Sequence, residues 1–191
     1  MRPRCRCRCS YRQTGGNASA CILALMAMFV NSLRVHLSYS SWASNRLVGA
    51  SSTLSPKELT RDFATADHNV LGTLAHIYDA DRIWLGRVEE SPMRPVDTFE
   101  VGTDLEALRR DWEALCERWR LWGNAQSEES IYRYIPYTNS RGDAYTTPVW
   151  QIVLHVVNHG SHHRGQVSGF LRAMGYVPPS LDLTTFYREV M

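Results

Sequence analysis

The stretch TDLEALRRDWEALCERWRLW, residues 103–122, carries the most regular apolar pattern in the chain. Its large apolar side chains recur at alternating steps of three and four residues, at Leu105, Leu108, Trp112, Leu115, Trp119 and Trp122. That spacing predicts an amphipathic helix with one buried face. Thr103, followed three residues later by Glu106, is typical of a capping box, and Gly123-Asn124 is typical of a helix end.

Two earlier segments show the same kind of pattern. A first helix is predicted over about residues 29–50, because four apolar residues fall within one arc of roughly 120°, namely Leu33, Leu37, Ala43 and Leu47. Pro56 then opens a short helical turn. A second helix is predicted over about residues 68–89, with Asp67 as its N-cap and Ser91-Pro92 as its end. Its apolar stripe comprises Val70, Leu74, Ile77, Trp84, Leu85 and Val88.

The pattern changes after the third helix. Residues 131–137, IYRYIPY, alternate and are rich in aromatic side chains, and a polar segment with Gly142 separates them from residues 144–146. This arrangement predicts a β-hairpin. A last helix is predicted from about Pro148 to Met174, before Gly175. We therefore expect an all-α fold, a four-helix bundle with a short β-hairpin between the third and fourth helices.

The first 27 residues differ from the rest of the chain. They contain five arginines and no acid, and four of the five cysteines. The apolar run over residues 21–30 is shorter than the roughly 20 residues that span a bilayer, and no clear export-signal cleavage site follows it. We interpret residues 1–27 as an extension that is disordered or results from a mis-assigned start, with Met26 or Met28 as the true start; an export signal is the remaining interpretation. Residues 28–191 are expected to form the domain.

Charge and cysteine content exclude several classes of function. The chain has a net charge of +2. Five arginines lie among the first 12 residues, and without them the net charge of the remaining chain is −3. A mildly acidic body argues against nucleic-acid binding. The body contains one cysteine, Cys116, which cannot form a disulfide framework and fits a reducing cytosol. We expect a cytoplasmic protein with no nucleic-acid and no membrane partner.

The last helix carries the candidate chemistry. Within VLHVVNHGSHHRGQV, residues 153–167, His155, His159 and His163 step by four and therefore lie on one helix face, with neighbouring Cβ atoms about 6 Å apart. Two imidazoles at this spacing can bind one transition-metal ion. His155 and His163 are about 12 Å apart along the axis at about 1.5 Å per residue, so they cannot both bind one ion. A third ligand must come from another helix, and His76 is the leading candidate.

Other interpretations of the histidines stay open at this point. A single histidine on a helix face is more often a hydrogen-bonded core or surface residue than a ligand, and three on one face favour a metal site without requiring it. His36 on the first helix is the reserve candidate, and His162 is expected to be exposed. A di-iron carboxylate site is excluded, because no glutamate has a histidine three residues later.

Three segments together resemble the DinB family, within the DinB/YfiT-like superfamily of metalloproteins. They are LRVHLSYSSWASNRL (33–47), LGTLAHIYDADRIWLGRV (71–88) and TTPVWQIVLHVVNHGSHHRGQVSGFLRAMGYVPPSLDL (146–183). The His-x-x-x-His-Arg-Gly-Gln element is the most specific part. The resemblance covers about residues 29–188 and implies a four-helix bundle, often a homodimer. It also implies a divalent transition metal, Zn, Ni or similar, held by His76, His159 and His163.

The resemblance also implies a function. Characterised relatives include thiol-dependent transferases and isomerases that use low-molecular-weight thiols such as bacillithiol or mycothiol. The expectation is therefore a metal-dependent thiol-linked transferase, in which a small thiol attacks an electrophilic small-molecule substrate. Two alternatives are a metal-binding bundle or sensor without turnover, and a metal-dependent hydrolase.

Three further residues have open roles. Asp81 interrupts the apolar stripe of the second helix, where it either pairs with an arginine, Arg46 or Arg164, or orients a ligand histidine. Gln166 lies on the His159 face, where it either contacts a ligand or packs between helices. Cys116, among tryptophans, is expected to be a buried thiol and not a nucleophile.

Overall fold

The structure, a computed structural model, describes residues 18–90 and 104–191, with side chains described from residue 25. The described chain is mainly helical, with one small two-stranded antiparallel sheet. Its elements are α1 (Ala18–Ser51), α2 (Pro56–Leu59), α3 (Val70–Val88), α4 (Leu105–Ala125), β1 (Tyr134–Thr138), β2 (Ala144–Pro148), α5 (Val149–Ala173) and α6 (Leu183–Val190). The predicted helical class is confirmed, and so is the hairpin between the third and the fourth predicted helix.

The four long helices share one core. Helix α1 packs against α4 and α5, and α3 packs against the same two helices. The predicted apolar stripes face this core: every stripe residue of α1, α3 and α4 is buried, except Trp84 and Trp122, which are half-buried. Burial of these faces stabilises the helices, because most of the stability of a helix in a protein comes from packing of its apolar face.

The N-cap of α3 is Asn69, not the predicted Asp67. The Asn69 side chain accepts a hydrogen bond from the backbone N–H of Gly72 at 2.8 Å. Asn and Asp are about equally good caps, and Asn69 directly precedes Val70, the first residue of the helix. Because Asn69 caps the helix, the Asp67 carboxylate is available for other contacts.

The cap of α4 is Asp104, which accepts hydrogen bonds from the backbone N–H groups of Glu106 and Ala107 at 3.0 and 3.2 Å. The predicted cap Thr103 lies outside the described residues, as does the predicted end of the second helix at Ser91-Pro92. The Asp104 side chain thus satisfies two of the backbone donors that every helix start leaves free.

Two helices extend beyond their predicted ends. Helix α1 begins at Ala18, eleven residues before the predicted start, and α4 continues to Ala125. Gly123, which was expected to stop α4, is buried instead, and a Cβ there would lie 3.2 Å from the side chain of Leu37. The glycine therefore serves the close packing of α4 on α1. In the described part of the chain, no helix has the length and apolarity needed to cross a bilayer.

Helix α6 was not predicted. Its one buried side chain, Phe186, lies between the rings of Tyr39 and Trp42, at centroid distances of 5.8 and 5.6 Å. The Tyr39 hydroxyl donates to the carbonyl oxygen of Leu181 at 2.8 Å. An eight-residue helix has too few turns for a clear periodic signal, and this one depends on its contacts with α1.

We predict that a version of the chain beginning at Met28 keeps the stability of the full chain. Leu25 and Met28 are 66% and 69% exposed, so the start of α1 contributes little to the core at these positions. Urea denaturation of both versions measures the difference. A loss of more than about 1 kcal/mol, a large fraction of a domain's stability, would show that the removed residues pack on the body.

Candidate metal centre

Helices α3 and α5 lie side by side and run in opposite directions. The ring of His76 on α3 lies 5.0 and 4.5 Å from the rings of His159 and His163 on α5, by centroid distances. Eight residues further along α3, Trp84 meets His155, four residues back along α5, at 5.0 Å. This register brings His76, His159 and His163 together where α3 and α5 meet.

The imidazole nitrogens of His76, His159 and His163 converge. One nitrogen from each ring lies within 4.8 Å of the other two, and the Nε2 atoms of His76 and His159 are 3.1 Å apart. Among the described residues, this is the one group of three or more His, Cys, Asp or Glu side chains whose ligand atoms come this close. The structure therefore brings together the three residues singled out from the sequence.

Burial keeps His159 neutral. The surrounding protein lowers the pKa of His159 to about 4, mainly because burial penalises the charged ring, and the neighbouring His163 and His76 add to this effect. The Nδ1 atom of His159 is buried and has no hydrogen-bond partner among the described residues. At neutral pH the ring thus has the uncharged form that a metal ligand requires.

Gln166 holds the ring of His163. The Nδ1 atom of His163 donates to the Oε1 atom of Gln166 at 2.8 Å. Burial lowers the pKa of His163, while the hydrogen bond to Gln166 opposes that shift. Of the two roles left open for Gln166, contact with a candidate ligand is the one observed. Because Nδ1 carries the proton, the lone pair of His163 is on Nε2.

Asp67 lies beside two of the three rings. One oxygen is 3.7 Å from Nδ1 of His76, and the other is 3.5 Å from Nδ1 of His163. This contact was not predicted, because the sequence pattern favours a helix cap at Asp67. No pattern in the sequence signals it, since Asp67 lies in the loop before α3 and reaches α5 only through the fold.

The remaining histidine candidates lie outside the cluster. His155 packs edge-on against Trp84, and the exposed His162 lies one position off the His163 face. The reserve candidate His36 donates from Nδ1 to the carbonyl oxygen of Ser32, one turn earlier on α1, at 2.7 Å. His36 is thus bound within its own helix.

Asp81 takes neither of its predicted roles directly. It is 6% exposed, and its Oδ2 atom accepts a hydrogen bond from Nε1 of Trp112 at 3.3 Å. The described ion pairs include none of Asp81 with an arginine or a histidine, and Arg46 pairs with Glu189 instead. Burial raises the pKa of Asp81 to about 7, although the charge of Arg164 opposes the shift. Asp81 is therefore a buried core acid and not part of the histidine cluster.

The arginine of the His-Arg-Gly-Gln element ties α5 to α1. Arg164 is 1% exposed and donates hydrogen bonds of 3.1 Å to the hydroxyls of Ser40, Ser44 and Ser161. Its guanidinium lies over Gly160, where a Cβ would come within 2.7 Å of Nη1. Arg164 thus points away from the cluster and fixes the helix that carries His159 and His163.

Cys116, predicted to be a buried thiol, is half-buried. Burial raises the pKa of its thiol to about 11, and its near neighbour Ser41 opposes the shift only in part. The thiol is therefore protonated at neutral pH, and the thiolate is the form that reacts as a nucleophile. Cys116 does not provide a catalytic sulfur.

A mainly helical protein whose long helices bring three histidines together belongs to the class of candidate metalloproteins. This chain belongs to the DinB family, whose model matches residues 28–189. It is similar to Protein DinB of Bacillus subtilis (strain 168), with 25% identity over 152 residues that cover 75% of this chain and 87% of that protein. Its fold resembles the crystal structure of a DinB-like protein from Bacillus cereus ATCC 10987, with a TM-score of 0.60, 18% identity, and coverage of 80% of this chain and 94% of the other.

We predict that Asp81→Asn makes stability less dependent on pH. The folded pKa, about 7, is raised above the usual value of 3.8, so Asp81 favours folding at low pH and this contribution is lost as pH rises through about 7. Relative to the wild type, the variant should gain on the order of 3 kcal/mol in free energy of unfolding between pH 4 and pH 8. Urea titrations at several pH values measure this, and parallel pH profiles for both proteins would contradict it.

Proposed function

We propose that His76, His159 and His163 bind one divalent transition metal, Zn, Ni or similar, in a four-helix bundle formed by α1, α3, α4 and α5. The main support for this proposal is that the three imidazoles converge from two different helices. Bonds of about 2.1 Å in a tetrahedral site place ligand nitrogens about 3.4 Å apart. The 3.1 Å between Nε2 of His76 and Nε2 of His159 is close to that spacing.

The donor set also fits a cation chemically. Imidazole binds metal in its neutral form, and burial favours that form at His159 and His163. The Nε2 atoms of His76 and His159 face each other at 3.1 Å. A cation between these rings would accept the lone pairs of both nitrogens.

We further propose that the protein is a metal-dependent thiol-linked transferase. Three protein ligands are typical of a catalytic site with an open position, and the His76 side chain is 43% exposed, so a small molecule can reach the cluster. A divalent ion held there supplies Lewis acidity, which lowers the pKa of a thiol. Cys116, the one cysteine whose side chain is described, is half-buried and its thiol pKa is raised to about 11, so the thiol would come from a low-molecular-weight compound.

The substrate would be a small electrophile. His155 and Trp84 lie next to the cluster along α3 and α5 and would line the path of the substrate. In keeping with the family resemblance, we propose a cytoplasmic homodimer whose partner molecules are small and not nucleic acid. The same geometry also fits a metal-binding bundle without turnover and a metal-dependent hydrolase. The assays below distinguish these two functions from the transferase.

We predict that alanine at His76, His159 or His163 abolishes stoichiometric zinc binding and leaves most of the helical circular dichroism. His36→Ala is the matched control, since His36 is bound within α1. Because burial lowers the pKa of His159 to about 4 and also lowers that of His163, affinity should persist to lower pH than free imidazole would allow and fall as pH approaches 4. Metal analysis of untagged protein measures the stoichiometry. Loss of zinc in His155→Ala together with full zinc in His76→Ala would show that the ligand assignment is wrong.

We predict that the metal-loaded protein consumes electrophiles only when a low-molecular-weight thiol is present. A panel of electrophiles with and without the thiol, followed by mass spectrometry of the S-conjugate, measures this activity. His159→Ala should lose it, whereas His36→Ala should retain it. Turnover without thiol would support the hydrolase, and stoichiometric metal without any turnover would support the binding or sensor protein.

A further inference from the structure

We propose that Asp67 is the positioning residue of the histidine cluster, where one carboxylate fixes a ring from α3 and a ring from α5. Its oxygens lie 3.7 Å from Nδ1 of His76 and 3.5 Å from Nδ1 of His163. This inference rests on the proposed metal site and adds to it a residue that joins the two helices.

The carboxylate contacts the outer nitrogens of the two rings. Nε2 of His76 points the other way, to within 3.1 Å of Nε2 of His159. A carboxylate beside Nδ1 favours a proton on that atom and leaves the lone pair on Nε2. Gln166 favours the same protonation of His163, because its Oε1 atom accepts from Nδ1 at 2.8 Å. The Nδ1 proton of His163 is donated to Gln166, so Asp67 acts on that ring through its charge; ligand histidines in metal sites commonly have a carboxylate beside their second nitrogen.

The loop before α3 holds Asp67 in place. His68 has a positive φ of 60°, which is uncommon for a residue with a side chain. The backbone N–H of Phe63 donates to the His68 carbonyl oxygen at 2.7 Å, and that of His68 donates to the Thr65 carbonyl oxygen at 3.1 Å. These bonds close a tight loop, so Asp67 is presented from a fixed backbone.

Gly72 allows this loop to lie against the first turn of α3. A Cβ at Gly72 would collide with the backbone carbonyl oxygen of Asp67. Glycine is unfavourable inside a helix, and alanine would be the better helix former at this position. The close approach of Asp67 therefore accounts for a residue that helix formation alone disfavours.

The charge of Asp67 also fits this role. The side chain is 19% exposed, and its only ion-pair contacts among the described residues are with His76 and His163. A partly buried carboxylate without a Lys or Arg partner loses solvation and gains little in return when the rings are neutral. A divalent cation bound on the far side of both rings would compensate that charge.

The first experiment compares Asp67→Asn with Asp62→Asn in the full chain. Asp62 belongs to the same loop and lies 3.7 Å from the exposed His68, so it is a matched control. Competition with a chromophoric chelator should give a zinc affinity 10- to 100-fold weaker for Asp67→Asn, and unchanged for the control. An affinity of Asp67→Asn within twofold of the wild type would overturn the proposal.

A second measurement does not require metal. Long-range ¹H–¹⁵N NMR spectra of the metal-free protein at pH 8 should show His76 and His163 with the proton on Nδ1. Asp67→Asn should shift His76 toward the Nε2 tautomer, because His76 then loses its carboxylate neighbour. Unchanged His76 tautomers would overturn the proposal. If the wild type binds no zinc, the metal function fails, and the NMR result still decides the role of Asp67.

Gly72→Ala gives a test that leaves every side chain of the site in place. The added Cβ should displace the Asp67 backbone, so zinc affinity should fall as it does in Asp67→Asn. Gly169→Ala is the control, because a Cβ there meets nothing within 4 Å. Wild-type affinity in Gly72→Ala would show that the position of Asp67 does not matter.

Discussion

The antiparallel register of α3 against α5 is the constraint on which the rest of the site depends. It sets His76 opposite His159 and His163, and Trp84 opposite His155. A shift by one turn would pair His76 with a different part of α5 and separate the rings. The register is fixed by the apolar faces that both helices bury, and packed interiors resist sliding. The chemistry of the site therefore depends on a core that itself contains no catalytic group.

The surroundings of the cluster shape what a bound ion could do. Burial keeps His159 uncharged, so protons compete weakly for its nitrogen at neutral pH. Three neutral imidazoles alone would leave the charge of the ion uncompensated. The nearby Asp67 carboxylate would change this balance, because it would reduce the net charge of a site that holds an ion. The proposed site would thus bind the ion more tightly and activate a thiol more moderately.

The sequence predicted the parts of the structure that depend on periodicity. His159 and His163 are one helical turn apart, so their shared face followed from the spacing alone, while His76 was assigned by family resemblance. Asp67 could not be found in this way, because it contacts α5 through a loop and its sequence position equally suits a helix cap. Helix α6 was missed because an eight-residue segment has a weak periodic signal and is stabilised by Phe186 packing on α1. Local sequence patterns thus predicted the long helices and the hairpin. The features that were missed, the position of Asp67 and helix α6, depend on contacts between segments that are distant in the sequence.

X-ray absorption spectroscopy of the zinc-loaded full chain tests the central claim most directly. The claim is that His76, His159 and His163 form one metal site across α3 and α5. In the wild type it predicts three imidazole nitrogens at about 2.0 to 2.1 Å from the ion and an oxygen or nitrogen atom as the fourth ligand. In His76→Ala at high zinc concentration it predicts two imidazole ligands. A sulfur ligand in the wild type, or an unchanged imidazole count in His76→Ala, would contradict the account.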